Sequence, residues 1–254
     1  MAFMGNQYTV LATEYLIVGG GGGGGNYAGA FLHAAGGGGA GGFLSGSLNL
    51  ILNPTYPYPI IVGTNGGFSG TIDTPGTNGT DSIAFALTAS GGGGGGGSKA
   101  SNLSGLDGGS GGGAGFFASS TGGGGAGISG SGFRGANSFY SSTPSPSGTY
   151  RYGYGGGAAT TASAGTVASV SIAGAPKAWV DGQLYAGGGP TYTGLSGSGG
   201  PPDATNAQQD GSPGIVKIRY AGTGSQFTGG TIEYSGSYTY HTFTASATLT
   251  PITN

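Results

Sequence analysis

The chain has no cysteine, two histidines, one tryptophan, and only six basic and eight acidic side chains in 254 residues. Without cysteine there is no disulfide framework and no thiolate metal site. The six cations, Lys99, Arg134, Arg151, Lys177, Lys217 and Arg219, are too few and too scattered for a basic patch, so no nucleic-acid partner is expected. No apolar run approaches the roughly 20 residues a membrane-spanning helix needs, and no membrane insertion is expected. The stretch from Met1 to Gln7 lacks the basic and apolar regions of a secretory leader, which gives the expectation of a protein made in a cytoplasm. Proline, with 12 residues, is far too scarce for collagen and no Gly-X-Y period exists, so collagen is excluded.

Glycine is what the chain has, 66 residues of it. The apolar run Tyr15-Leu16-Ile17-Val18 feeds into seven consecutive glycines, 19–25, and the tracts 36–42, 91–97, 111–113, 122–125, 155–157 and 187–189 follow. Ordering seven glycines costs about 4–7 kcal/mol more than ordering seven alanines, so unbroken glycine normally means flexible linker. Two features oppose that reading. Disordered chains combine low hydrophobicity with high net charge, whereas this one carries −2 and 35% hydrophobic residues. Fifteen tyrosines and eleven phenylalanines also punctuate the glycines. Ordered polyglycine is a threefold extended helix without internal hydrogen bonds, so its amides and carbonyls need partners in neighbouring rods on three sides. The near-equal tract lengths predict a layered bundle of antiparallel rods.

The rest reads as β-structure, with no helical period. Residues 8–18 predict one or two strands, Leu16-Ile17-Val18 being buried on both faces. Residues 43–62 read as a hairpin around Pro54 and Pro57, residues 63–80 as loop, 83–88 as a short strand with Ile83, Phe85 and Leu87 inward, and 166–172 as another strand. The alternation in 214–220 (GIVKIRY) predicts a strand, followed by 231–234, 238–243 and 248–252 at hairpin spacing. The fold class expected is all-β and irregular: a glycine-rich sandwich of packed polyglycine II helices flanked by antiparallel strands, with essentially no α-helix. Three segments are expected: N-terminal strand 1–18, glycine-rich sandwich 19–213 with aromatic loops, and C-terminal β segment 214–254. The strands at the two ends should pair with each other or with neighbouring subunits.

The order of these segments, residues 15–25, 36–42, 58–63 (YPIIVG), 89–97, 211–220 (GSPGIVKIRY) and 229–248 (GGTIEYSGSYTYHTFTASAT), resembles that of phage glycine-rich tail proteins over nearly the whole chain. More loosely, the chain is similar to the polyglycine-sandwich adhesins at the tips of T-even-like long tail fibres, although it shows no recognisable fibre-attachment domain at its start. The resemblance implies a virion tail protein made in the host cytoplasm. Its implied partners are a host surface glycan or outer-membrane protein, other tail proteins, and further copies of itself, since fibre proteins are often trimers. A purely structural virion component, a fibre spacer or capsid decoration, is the rival reading.

No constellation for catalysis stands out. Gly-x-Gly-x-x-Gly matches follow from composition alone, no helix follows residue 19, and no Gly-Lys dipeptide exists for a phosphate loop. Asp73 and Asp81 sit where turns favour aspartate. His33 and His241 stand apart, and His241 should be a surface or paired residue. No enzyme, metal or cofactor is expected. Aromatic loops remain. Tyr-, Ser- and Gly-rich loops on a rigid frame make adaptable recognition surfaces with weak salt dependence. Arg134, Phe139, Tyr140, Tyr150, Arg151, Tyr152, Tyr154 and Tyr192 are the candidate receptor-binding residues. Phe31, Phe116 and Phe117 are expected instead to cap the glycine layers.

Overall fold

The computed structural model describes residues 9–26, 33–68, 70–71, 73–138, 153, 155–162, 173–189, 194–201 and 210–252. Among these there is no helix. Strands numbered in chain order build two five-stranded antiparallel sheets. The first runs β13 (Thr231–Ser235), β14 (Tyr238–Phe243), β11 (Ile215–Ala221), β1 (Val10–Val18) and β3 (Phe43–Ile51). The second runs β12 (Phe227–Thr228), β15 (Ala247–Pro251), β4 (Tyr58–Ile61), β5 (Ser82–Ala84) and β6 (Leu87–Ala89). The N-terminal strand therefore pairs with the C-terminal segment, as the end strands were expected to do.

Alternation in β11 sorts its side chains to two cores. Val216, Ile218 and Tyr220 join Ile17, Leu50 and Phe243 against Ile60, Ala84, Phe227 and Leu249 of the second sheet. On the other face Ile215 joins Leu16, Val18 and Phe43 beneath Trp179 and Tyr185. Those two rings flank the hairpin of β9 (Lys177–Ala178) and β10 (Leu184–Tyr185), which lies across the sheet. Leu16, Ile17 and Val18 are all fully buried, each contributing about 1.5–3 kcal/mol, because β1 is covered on both sides.

Two strand assignments need correction. Residues 43–62 are not a hairpin: β3 pairs with β1, and the Pro54–Pro57 turn carries the chain into the other sheet, where β4 pairs with β15 and β5. Residues 83–88 are not one strand either. Phe85 and Ala86 take φ of 56° and 61°, the mirror-image turn that right-twisted strands favour, and β5 folds back on β6. The left-handed backbone costs roughly 1–2 kcal/mol per residue. Packing offsets it, since the Phe85 ring meets Tyr58 edge-on at 5.8 Å and Tyr15 at 6.4 Å.

The glycine tracts are ordered rods with hydrogen bonds at a period of three. Gly19, Gly22 and Gly25 donate to the carbonyls of Gly42, Gly39 and Gly36 at 2.9–3.0 Å. Gly20, Gly23 and Asn26 donate to Thr80, Thr77 and Thr74, and Gly21 turns to Ser212. The bundle is not uniformly antiparallel, however. Rod 19–25 runs antiparallel to rod 36–42, whose Gly42, Gly39 and Gly36 donate to Ser90, Gly93 and Gly96 of an antiparallel third rod, 90–97. The third rod touches the first, with Gly92 and Gly95 donating to Gly20 and Gly23, so that pair must be parallel. Three mutually adjacent rods cannot all oppose one another, and a threefold rod bonds in either direction.

Residues 63–80, expected as loop, contribute two more rods on the outside of the bundle. Thr64 and Gly67 donate to the hydroxyls of Thr80 and Thr77 at 2.7 and 2.8 Å, and Thr80 and Thr77 donate back to the carbonyls of Thr64 and Gly67. Asn78 and Asp81 likewise accept from Gly94 and Gly91. A threefold rod at the surface turns one residue in three outward, so polar side chains at that spacing fit and supply acceptors where no further rod lies.

At most inside positions a Cβ has no room. One built on Gly22 lies 2.2 Å from the Gly93 carbonyl oxygen, whereas on Gly123, in an outer rod, its nearest neighbour is the tip of Arg134 at 3.8 Å. Gly22→Ala should therefore lower stability by about 1–3 kcal/mol and Gly22→Val should prevent folding, while Gly123→Ala stays within about 0.5 kcal/mol of wild type. Thermal melts of the three variants check this, and equal tolerance at both positions would mean that the tracts are linkers.

Candidate functional site

The bundle has two ends. Rod 19–25 leaves β1 at the sandwich, so Asn26 lies at the remote end, as do the residues on either side of segment 139–152, which bond near Gly37. There β2 (His33–Ala34), β7 (Phe116–Phe117) and β8 (Ser120–Thr121) form a small sheet. Phe116 is buried and Phe117 half-buried in it, consistent with the capping role expected for both. Phe31 and the strand expected at 166–172 lie outside the described residues.

The chain on either side of segment 139–152 is pinned to this end. Ala114, two residues before β7, donates to the Ala136 carbonyl at 3.0 Å and accepts from the Gly153 amide at 2.7 Å. One backbone position thus holds the strands of chain that enter and leave the segment. Ser138 adds its hydroxyl, accepting from Gly122 at 2.8 Å, and Gly37 bonds the Gly153 carbonyl at 3.0 Å. Beside these stems lies an open depression of about 320 Å³ lined by Pro75, Asn102, Leu103, Leu106, Ser104 and Thr121 among others. None of its lining side chains titrates, so it suits a neutral polar group and offers no acid–base chemistry.

Of the eight candidate receptor-binding residues only Arg134 falls within the described residues. Phe139, Tyr140, Tyr150, Arg151, Tyr152, Tyr154 and Tyr192 lie outside them. Arg134 is exposed but engaged: its guanidinium lies along the outer glycine rod, with Nε donating to the Gly124 carbonyl at 3.3 Å and an Nη to Asn137 at 2.7 Å. That is a brace across two rods. Its remaining donors are what could face a ligand.

Two ion pairs lie at the other end, on the sandwich. Lys217 meets Asp181 at 2.6 Å, and the Tyr185 hydroxyl donates to the same carboxylate oxygen at 2.7 Å. Burial pushes the Asp181 carboxyl up, but bonds from Lys217, Tyr185 and the Gln183 amide outweigh it and hold it below its usual value. Burial and the adjacent carboxylate push the Tyr185 hydroxyl well above 10, the wrong direction for a general base. Glu14 pairs with Arg219, which also bonds Tyr240 and lies 4.4 Å over the Tyr238 ring. These pairs fasten the β9–β10 hairpin and tie β1, β11 and β14 together. Among the described residues no three His, Asp or Glu side chains approach closely enough to hold a metal ion.

His241 is paired, one of the two outcomes its strand position allowed, and it is fully buried. Nδ1 faces the Gly229 carbonyl at 2.8 Å, which can only accept, so Nδ1 carries the proton and Nε2 accepts from the Tyr220 hydroxyl at 3.0 Å. Burial lowers its pKa below 6.5 despite the favourable carbonyl, so the fold binds the neutral ring. Stability from this site is complete above about pH 6.5 and is lost as pH falls below it, by at most about 1.4 kcal/mol per pH unit. His241→Gln should melt lower at neutral pH yet lose that slope, and melts across the acid range check it.

Residues 5–221 match the profile of a family described as a glycine-rich domain. No curated protein gives a match.

Proposed function

Because the chain belongs to the glycine-rich domain family, whose match spans residues 5–221, we propose that it works as a rigid display frame. We read it as a phage tail-fibre or tail-tip protein that binds the host surface through loops at the end remote from the sandwich. The observation that carries the reading is the double anchorage at Ala114, which ties both stems of the Tyr- and Ser-rich segment 139–152 to an interlocked lattice. A binding loop held at both stems loses less entropy on contact than a free one. Its aromatic rings suit stacking on sugars or on the loops of an outer-membrane protein, and the neutral depression beside it suits a hydroxyl-rich ligand. With few ionic groups, binding should depend weakly on salt.

The engagement of Arg134 on its own scaffold favours the structural rival, a fibre spacer or capsid decoration, for that residue. Replacing Tyr150, Tyr152 and Tyr154 together with alanine separates the two. The adhesin reading expects adsorption to host cells to weaken by about a hundredfold or more with the melting temperature unchanged. Undiminished adsorption, or an antibody label on the capsid shell, would sink it.

A further inference from the structure

The edge of the first sheet at β3 carries an open hydrogen-bonding window. Leu52 donates across to Thr9, next to the start of β1, at 2.8 Å, so even-numbered amides of β3 face β1 and odd-numbered ones face outward. The chain seals the outward amides at both ends. Phe43 donates to the Ser131 carbonyl at 2.8 Å and Ile51 to the Tyr58 hydroxyl at 2.6 Å. Between the seals Ser45, Ser47 and Asn49 are exposed, and their outward amides have no partner among the described residues. The strand itself carries no guard: β3 has no proline, no charged residue and no bulge in its pairing with β1.

We propose that this window is a two-fold interface at which β3 pairs antiparallel with β3 of a second copy, centred on Ser47. The seals at Phe43 and Ile51 are equidistant from Ser47, so the window is self-complementary. Ser47 faces Ser47 of the second copy and Ser45 faces its Asn49, each pair exchanging two N–H···O bonds and making one continuous ten-stranded sheet. Inward-facing Leu44 and Leu48, only partly buried in one copy, then meet apolar counterparts across the seam. Beyond the seals, Ile128 and Tyr56 are both 47% exposed in the single chain. The other edge of the sheet, β13, is also exposed but suits self-pairing poorly, because its central Glu233 would face itself. The arrangement is two-fold, unlike the trimers of many fibres, and it leaves the remote loop end clear.

The chain has no cysteine, so single substitutions report contacts directly. Facing α-carbons in such a pair lie about 5.5 Å apart, within disulfide reach, whereas Ser45 faces its own equivalent at no closer than roughly 14 Å. The full chain should sediment as a dimer, and Ser47→Cys should oxidise to a covalent dimer. Ser45→Cys alone should not, while Ser45→Cys combined with Asn49→Cys should. Ser47→Pro removes only an outward amide and should give a monomer with an unchanged circular dichroism spectrum. A wild-type monomer at all concentrations, which leaves the edge bare or to a foreign strand, overturns the proposal. So does Ser45→Cys cross-linking as readily as Ser47→Cys, or a Ser47→Pro chain that remains dimeric.

Discussion

A threefold backbone helix has no hydrogen bonds of its own, and the rest of this structure follows from finding partners for it. Each rod must be surrounded by other rods in register, every third amide aimed at the same neighbour. That is possible only where backbones approach without Cβ atoms between them, so glycine is required by close approach rather than by freedom of conformation. The ordering cost of the tracts is offset by saturating their amides and carbonyls in a dry lattice, where an unmade bond is expensive.

Such a lattice has no large side chains to bury, and its apolar core lies elsewhere. The two five-stranded sheets supply it, with β1 at the junction: its last three residues, Leu16, Ile17 and Val18, are buried on both faces, and it continues without a turn into the first rod. Sandwich and lattice are thereby joined through one continuous strand. Its surface is finished by short polar side chains. Thr77, Thr80, Asn78 and Asp81 accept from outward amides that would otherwise need another rod. Asp73 and Asp81, which the sequence placed in turns, are part of this finish, with Asp81 on Gly91 and Asp73 on Ser98.

The division of labour between the ends follows from the same geometry. Charged and aromatic pairs at the sandwich, such as Lys217–Asp181 and Arg219–Glu14, hold one sheet face together, while loop stems such as Ser138 and Gly153 emerge at the other end. Loops mounted on a stiff bundle are free to vary in sequence without disturbing it, which is the physical basis of the display reading.

Much of this was legible in the residues. Alternation in 214–220 gave a strand, the unalternating Leu16-Ile17-Val18 gave a strand covered on both sides, and unbroken glycine with aromatic punctuation gave an ordered lattice. The rods at 63–67 and 74–80 were missed, although the three-residue spacing of Thr74, Thr77 and Thr80 and of Asn78 and Asp81 was there to see, because polar residues with glycine also describe turns. By itself the sequence determined the local conformations: extended, threefold or strand, since these depend on side-chain size and period. Only the tertiary structure decided which rods adjoin, that three adjoining rods must include a parallel pair, that residues 43–62 divide between two sheets, and that Arg134 braces its own scaffold. Those are matters of neighbours in space, and a glycine backbone bonds equally well to many neighbours, so nothing local distinguishes them.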